Sequence, residues 1–120
     1  MRSNGVVQGN GASAWVWQRL TALGLLILLA VHFWLLHYAD PSREVVFSGV
    51  QFRLRSLSWI LVDLALLAMA LYHGLNGLRN VILDYQTAPG LQRTLNVVLW
   101  TLGVLFFALG ARTLAAFALG

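Results

Sequence analysis

The stretch LTALGLLILLAVHFWLLHYA, residues 20–39, decides the fold because it contains no Asp, Glu, Lys or Arg. A transmembrane helix needs about 20 consecutive, mostly apolar residues. Two further stretches without these charged residues follow at 64–78 and 94–111, and apolar residues extend both of them. The sequence therefore predicts an all-α membrane protein with three transmembrane helices.

The composition supports a membrane location. Apolar residues make up 59% of the 120-residue chain and charged residues 10%, with a mean hydropathy of +0.75. A soluble domain of this size has too little interior to bury so much apolar surface. We place the three transmembrane helices at about residues 14–38, 56–84 and 94–118.

The segments outside these spans are short and polar. Residues 1–12 are glycine-rich, and we predict a flexible tail there, followed by one transmembrane anchor domain at 13–120. The sequence DPSRE at 40–44 ends the first helix, and the segment after it is placed along the membrane surface. The sequence QTAPG at 86–90 is typical of a turn and makes the second and third helices antiparallel neighbours.

Charge and cysteine content exclude several functions. All eight basic residues are arginines and the net charge is +4, yet the arginines stand singly between apolar stretches, which argues against nucleic acid as a partner. The chain has no cysteine, which excludes thiol catalysis and cysteine-ligated zinc or iron–sulfur centres in this chain.

His73 is the first polar residue that a membrane span does not explain. It lies in LYHGLNGLR, residues 71–79, and intramembrane ionisable residues are functional candidates by default. A neutral imidazole suits haem iron, and Gly74 and Gly77 make room for a flat macrocycle or a closely packed helix. One histidine gives one axial bond, so a partner chain must supply the second. The alternative is an interhelical hydrogen bond.

The pair Asp84–Tyr85 follows about 18 Å further along the same helix, at the membrane surface. A phenol held beside a carboxylate and an arginine can donate a hydrogen bond to a quinone carbonyl. The alternative makes Tyr85 an interfacial anchor and Asp84 a solvated charge. Arg19 begins the first helix, and the antiparallel arrangement predicts that it lies at the same surface. There it either snorkels to lipid headgroups or pairs with Asp84, a haem propionate or a quinone oxygen.

Two more histidines lie in the first predicted helix. His32 is expected at nearly the same depth as His73, as an interhelical hydrogen-bonding residue or as a ligand of a second haem. His37 is expected at the opposite surface. Asp63 is expected to be an interfacial carboxylate, and Arg112 to snorkel to the far surface or to pair with Asp63.

These sequence features together resemble those of a known family. Three spans, the sequence Arg-x-Thr-Ala at 19–22, and His73 followed by the Asp84–Tyr85 pair are similar to the small hydrophobic membrane anchor of succinate dehydrogenase, respiratory complex II. The resemblance extends from Trp15 to about Arg93. It implies that His73 is an axial ligand of a b-type haem. It also implies that Tyr85, Asp84 and Arg19 form part of a quinone site, with Arg19 near the haem propionates.

The same resemblance implies partners and a location. A second membrane-anchor subunit, of a different type, completes the helix bundle and supplies the other haem ligand. Iron–sulfur clusters and FAD belong to an iron–sulfur subunit and a flavoprotein subunit, so the chain is not catalytic alone. The substrate is ubiquinone or menaquinone, in respiratory electron transfer and the tricarboxylic acid cycle. We expect a bacterial inner membrane, since no transit peptide is recognised, and a cytoplasmic N-terminus.

Two alternatives stay open. In the first, the chain is an anchor of a fumarate reductase or another cytochrome b-linked dehydrogenase, and identification of the soluble partner tests this. In the second, the chain is a non-catalytic accessory subunit, which predicts neither haem nor quinone in the purified complex.

Overall fold

The computed structural model describes residues 11–39, 46–85 and 88–120. Its regular structure within these ranges is entirely helical. The elements in chain order are α1 (Gly11–His37), α2 (Phe47–Leu54), α3 (Leu57–Tyr85) and α4 (Pro89–Leu119). The predicted tail at 1–10 and the predicted loop at 40–44 lie outside the described residues.

Three of the four helices are long and apolar enough to cross a membrane. Helices α1, α3 and α4 contain 27, 29 and 31 residues. At about 1.5 Å per residue each exceeds the roughly 30 Å thickness of the hydrocarbon core. Their outer faces are rich in exposed leucine, valine and tryptophan side chains, as expected where lipid or a partner chain replaces a core. The prediction of an all-α protein with three transmembrane helices is confirmed.

Two predicted helix starts need correction. Helix α1 begins at Gly11 instead of about residue 14, so the last two residues of the predicted tail are helical. Helix α4 begins at Pro89, although Pro89 and Gly90 were predicted to form a turn. Proline is favoured in the first helical turn, because its missing N–H has no acceptor there and its φ angle suits a helix.

The short helix α2 was not predicted as a helix. It packs against α3 and α4 through Leu54, which is buried, and through Phe47, whose ring centroid lies 5.4 Å from that of Phe117. Because Phe117 is near the end of α4, these contacts place α2 at that end of the bundle.

Helix α3 is the centre of the packing. Helices α1 and α4 both pack against it, and among the described residues no Cα atom of α1 lies within 8 Å of a Cα atom of α4. Glycines bring the helices close: a Cβ atom on Gly24 of α1 would lie 2.7 Å from Sδ of Met69, and one on Gly110 of α4 would clash with Leu67. These close approaches fix the depth at which residues of neighbouring helices meet.

Candidate functional site

A polar network joins α1 to α3 around His73. Nδ1 of His73 lies 3.2 Å from the carbonyl oxygen of Gln18 and 3.3 Å from Oγ1 of Thr21. The Thr21 hydroxyl donates its own hydrogen to the carbonyl oxygen of Trp17 at 2.7 Å. Since a carbonyl oxygen can only accept, Nδ1 is the ring nitrogen that carries the hydrogen. In the neutral imidazole Nε2 then holds a free lone pair.

The side chain of Gln18 completes this network. Its Nε2 donates to the carbonyl oxygen of His73 at 3.1 Å, and its Oε1 accepts from Nδ2 of Asn76 at 2.7 Å. Thr21 is only 8% exposed, the lowest exposure of any polar residue within the described ranges. We call Gln18, Thr21, His73 and Asn76 the Gln18 network. It orients the imidazole of His73 from two sides.

An open face of α3 lies beside His73. At about 100° per residue, Ala70, Gly74 and Val81 project on one side of the helix, next to the histidine, whereas Gly77 faces α1, where an added Cβ atom would lie 3.3 Å from Nε2 of Gln18. A Cβ atom on Gly74 would meet nothing within 4 Å, and Ala70 and Val81 are exposed. Nε2 of His73 has no hydrogen bond in the described part of the chain. A held imidazole with a free Nε2 beside a smooth face of small residues fits an axial ligand of a haem.

Asp84 and Tyr85 are the last two residues of α3. Tyr85 is 84% exposed and Asp84 is also exposed. Asp84 lies three helical turns beyond His73, on the same side of α3. Within the described residues neither side chain has a hydrogen-bond or ion-pair partner, so both are accessible to a ligand or a partner subunit.

Arg19 lies on α1 about 15 Å along the bundle from the level of Asp84, because the adjacent Gln18 contacts His73. Its guanidinium carbon lies 3.5 Å from the ring centroid of Trp15, which is one helical turn closer to that end of the bundle. A shared position of Arg19, Asp84 and Tyr85 at one membrane surface stays a prediction.

His32 belongs to a second polar contact between α1 and α3. Its Nδ1 lies 3.3 Å from Oδ1 of Asp63, and the two side chains are 27% and 23% exposed. The ring of Trp59 packs edge-on against the imidazole, with centroids 6.3 Å apart. Asp63 is ten residues before His73, so the two histidines lie about 15 Å apart along the bundle, and the prediction of equal depth is wrong. Asp63 pairs with His32 and not with Arg112.

The remaining histidine makes a contact within its own helix. Nδ1 of His37 lies 3.0 Å from the carbonyl oxygen of Phe33, and the residue is exposed near the end of α1. No cluster of three or more histidine, aspartate or glutamate side chains that could hold a metal ion occurs in ranges 11–39, 46–85 and 88–120. Single histidines are therefore the relevant candidates for metal ligands in these ranges.

Comparison with known proteins agrees with this architecture. Residues 3–113 match the family described as succinate dehydrogenase/fumarate reductase transmembrane subunit. The chain belongs to this family. The succinate dehydrogenase hydrophobic membrane anchor subunit of Thermoplasma acidophilum is 28% identical over 93 residues, which cover 78% of this chain and 76% of the relative. The protein of the same name from Rickettsia felis is 28% identical over 91 residues, covering 76% and 73%.

The Gln18 network is the part of the site that the sequence indicated least. Sequence reasoning singled out His73 but gave no role to Gln18 or Thr21. Their spacing of three residues places both on one face of α1. A glutamine and a threonine on one face of a predicted membrane helix could have indicated a polar contact with another helix.

Proposed function

We propose that this chain is the hydrophobic membrane anchor of a succinate:quinone oxidoreductase, which binds a b-type haem together with a second anchor subunit and forms part of the quinone-reduction site. Membership of the transmembrane-subunit family supports the anchor role. The observation that carries the haem assignment is the imidazole of His73, which is held at Nδ1 and free at Nε2. The chain is not catalytic alone.

His73 is the axial ligand that this chain would supply, and a histidine of the second anchor would supply the other. A bound b-type haem accepts and releases single electrons. The Gln18 carbonyl and the Thr21 hydroxyl fix the tautomer and the orientation of the ring, as outer partners of ligating histidines usually do. Arg19 lies at the level of His73, which favours a haem propionate over a quinone as its partner.

Tyr85 and Asp84 are the residues proposed for the quinone. The Tyr85 hydroxyl donates a hydrogen bond to a quinone carbonyl, and Asp84 holds that phenol or an arginine of the complex in place. Quinone reduction consumes two protons, and a phenol near the membrane surface can pass one from water to the carbonyl oxygen. The high exposure of Tyr85 supports this proposal, because its hydroxyl has no hydrogen-bond partner among the described residues.

The remaining parts of the proposal concern the assembly. Electrons reach the quinone from FAD and iron–sulfur clusters held by a flavoprotein subunit and an iron–sulfur subunit. Both of these partners dock on the cytoplasmic face of a bacterial inner membrane, where the N-terminus also lies. The complex then links the tricarboxylic acid cycle to respiratory electron transfer, with ubiquinone or menaquinone as acceptor.

Replacement of Tyr85 by phenylalanine tests the quinone role. We expect the Tyr85→Phe complex to reduce quinone about 10-fold more slowly or worse, because a proton donor is lost. Succinate oxidation by a soluble artificial acceptor should stay at the wild-type rate. The matched control is Tyr38→Phe, which removes an exposed phenol at the opposite end of the bundle. Equal loss of both activities in Tyr85→Phe would contradict the proposal.

Replacement of His73 by alanine tests the haem role. We expect the dithionite-reduced minus oxidised spectrum of the purified His73→Ala complex to lose the b-type band. His37→Ala, which removes an exposed imidazole near the other end of α1, should keep it. An unchanged spectrum in His73→Ala would reject this residue as a ligand.

Two alternatives rest on specific observations. The matched family also includes transmembrane subunits of fumarate reductase, so identification of the soluble partner decides between the two enzymes. Nδ1 of His32 lies 3.3 Å from a carboxylate oxygen of Asp63 without a hydrogen bond to it, and His32 stays a candidate ligand of a second haem. Two haems per chain would favour that assignment.

A further inference from the structure

A cavity of about 600 Å³ lies in the gap between α1 and α4. It exists because both helices pack on α3 and, in the described ranges, no Cα atom of one lies within 8 Å of a Cα atom of the other. Its walls include Trp17 of α1, Tyr72 and Arg79 of α3, and Asn96 and Trp100 of α4. Asn76 of the Gln18 network also lines this space, whereas Tyr85 is not among its described lining residues.

The cavity is polar at one end and apolar at the other. Arg79 and Asn96 line the end nearer to the C-terminus of α3, and Ala68 and Phe107 line the other end. Arg79 is eleven positions after Ala68, which corresponds to about 16 Å along the helix axis. The polar end thus lies toward the membrane surface and the apolar end toward the bilayer centre, which is the orientation of a lipid.

Arg79 gives the polar end its charge. Among the described lining residues it is the one that carries a charge, so a bound anion meets no carboxylate from them. Its Nε donates a hydrogen bond to Oδ1 of Asn96, which holds the planar guanidinium in place. The two terminal nitrogens remain to bind a ligand. A fixed guanidinium of this kind is suited to two parallel hydrogen bonds with phosphate oxygens.

The cavity opens on a different side of α3 from the haem candidate. Arg79 is about 120° around the helix from His73, and His73 does not line the cavity. The absence of His73 from the described lining supports an occupant other than the group proposed to bind His73.

We propose that this cavity binds one anionic phospholipid, with its phosphate on Arg79 and one acyl chain between Ala68 and Phe107. The second acyl chain stays in the bilayer, since the space is too small for a whole diacyl lipid. The argument rests on the charge and shape of the cavity and does not depend on haem or quinone binding at other residues.

Lipid retention in the purified complex tests this site. After extensive exchange into mild detergent, native mass spectrometry counts the phospholipids that remain. We expect Arg79→Gln to retain one phospholipid fewer per complex than wild type, although its amide can still donate to Asn96. Arg112→Gln, which removes an exposed arginine outside the cavity, should match wild type. Equal counts in wild type and Arg79→Gln, or loss of a quinone instead of a phospholipid, would overturn the proposal.

A second variant tests the apolar end. Ala68→Phe fills the place of the acyl chain without changing a charge, and we expect it also to lose one phospholipid per complex. Ala108→Phe, an exposed position on α4 outside the lining, is its control. Delipidated wild type should regain the lipid from phosphatidylglycerol vesicles and not from phosphatidylcholine vesicles. A full lipid count in Ala68→Phe, or equal uptake from both vesicles, would contradict the site as described.

Discussion

Two histidines connect α1 to α3 at levels about 15 Å apart, and their surroundings differ. His73 directs Nδ1 at a backbone carbonyl and a hydroxyl, which are neutral acceptors, and stands beside an open face of small residues. His32 directs Nδ1 at the carboxylate of Asp63 and is covered by the ring of Trp59.

This difference favours His73 over His32 as the proposed haem ligand. Neutral acceptors fix the ring of His73 without adding charge, and the adjacent open face leaves room at its free nitrogen. At His32 the carboxylate and the tryptophan ring take up much of the space around the imidazole. We therefore assign haem ligation first to His73 and helix–helix contact first to His32.

The largest effect is expected from closing the open face. A leucine in place of Gly74 projects into the space beside His73, where a Cβ atom now meets nothing within 4 Å. We expect the Gly74→Leu complex to lose most of its b-type absorbance although His73 is retained. Gly90→Leu, at a second glycine with open space around it, should keep the absorbance. Full haem content in Gly74→Leu would show that this face is not used.

An intermediate effect is expected from the Gln18 network. Gln18→Leu removes two side-chain hydrogen bonds and leaves the Asn76 amide without its acceptor. We expect the free energy of unfolding to fall by about 1–3 kcal/mol, measured as a lower thermal midpoint of the purified complex. Gln92→Leu, a half-buried glutamine of α4, is the control. An unchanged midpoint in Gln18→Leu would mean that the network does not stabilise the α1–α3 contact.

The smallest effect is expected at His32 and Asp63. The variants His32→Gln and Asp63→Asn, made singly and together, form a double-mutant cycle. We expect a coupling of about 0.5–1 kcal/mol, because the pair is only partly buried and its partners are not held by further hydrogen bonds. Haem content should not change in any of the three. Loss of one haem of two in His32→Gln would instead assign a ligand role to this residue.

The number of membrane spans could be read from the sequence, but short and boundary elements could not. The twenty residues at 20–39 contain no Asp, Glu, Lys or Arg, and we expect a helix wherever such a stretch crosses a bilayer. The reason is that backbone N–H and C=O groups find hydrogen-bond partners there only within the helix. Helix α2 has eight residues, too few for such a signal, and it is held by contacts that form only after folding, such as Phe47 on Phe117. Pro89 is compatible with both a turn and a first helical turn.

The depth of the site residues could not be read from the sequence, since depth follows from packing between helices. The sequence predicted His32 at the depth of His73 from its distance along the chain to Arg19. The register is set elsewhere, by close approaches such as Gly24 on Met69, which fix the position of α1 along α3. His73 could be singled out because an intramembrane imidazole beside two glycines needs no register to be noticed.

The most direct test of the central claim is a haem count on the purified complex. Pyridine haemochrome quantitation should give one b-type haem per copy of this chain in wild type and in His32→Gln, and none in His73→Ala. One haem retained in His73→Ala would contradict the assignment of His73 as the axial ligand. No haem in the wild-type complex would leave the quinone proposal to rest on Tyr85 and Asp84 and would favour a non-catalytic accessory role.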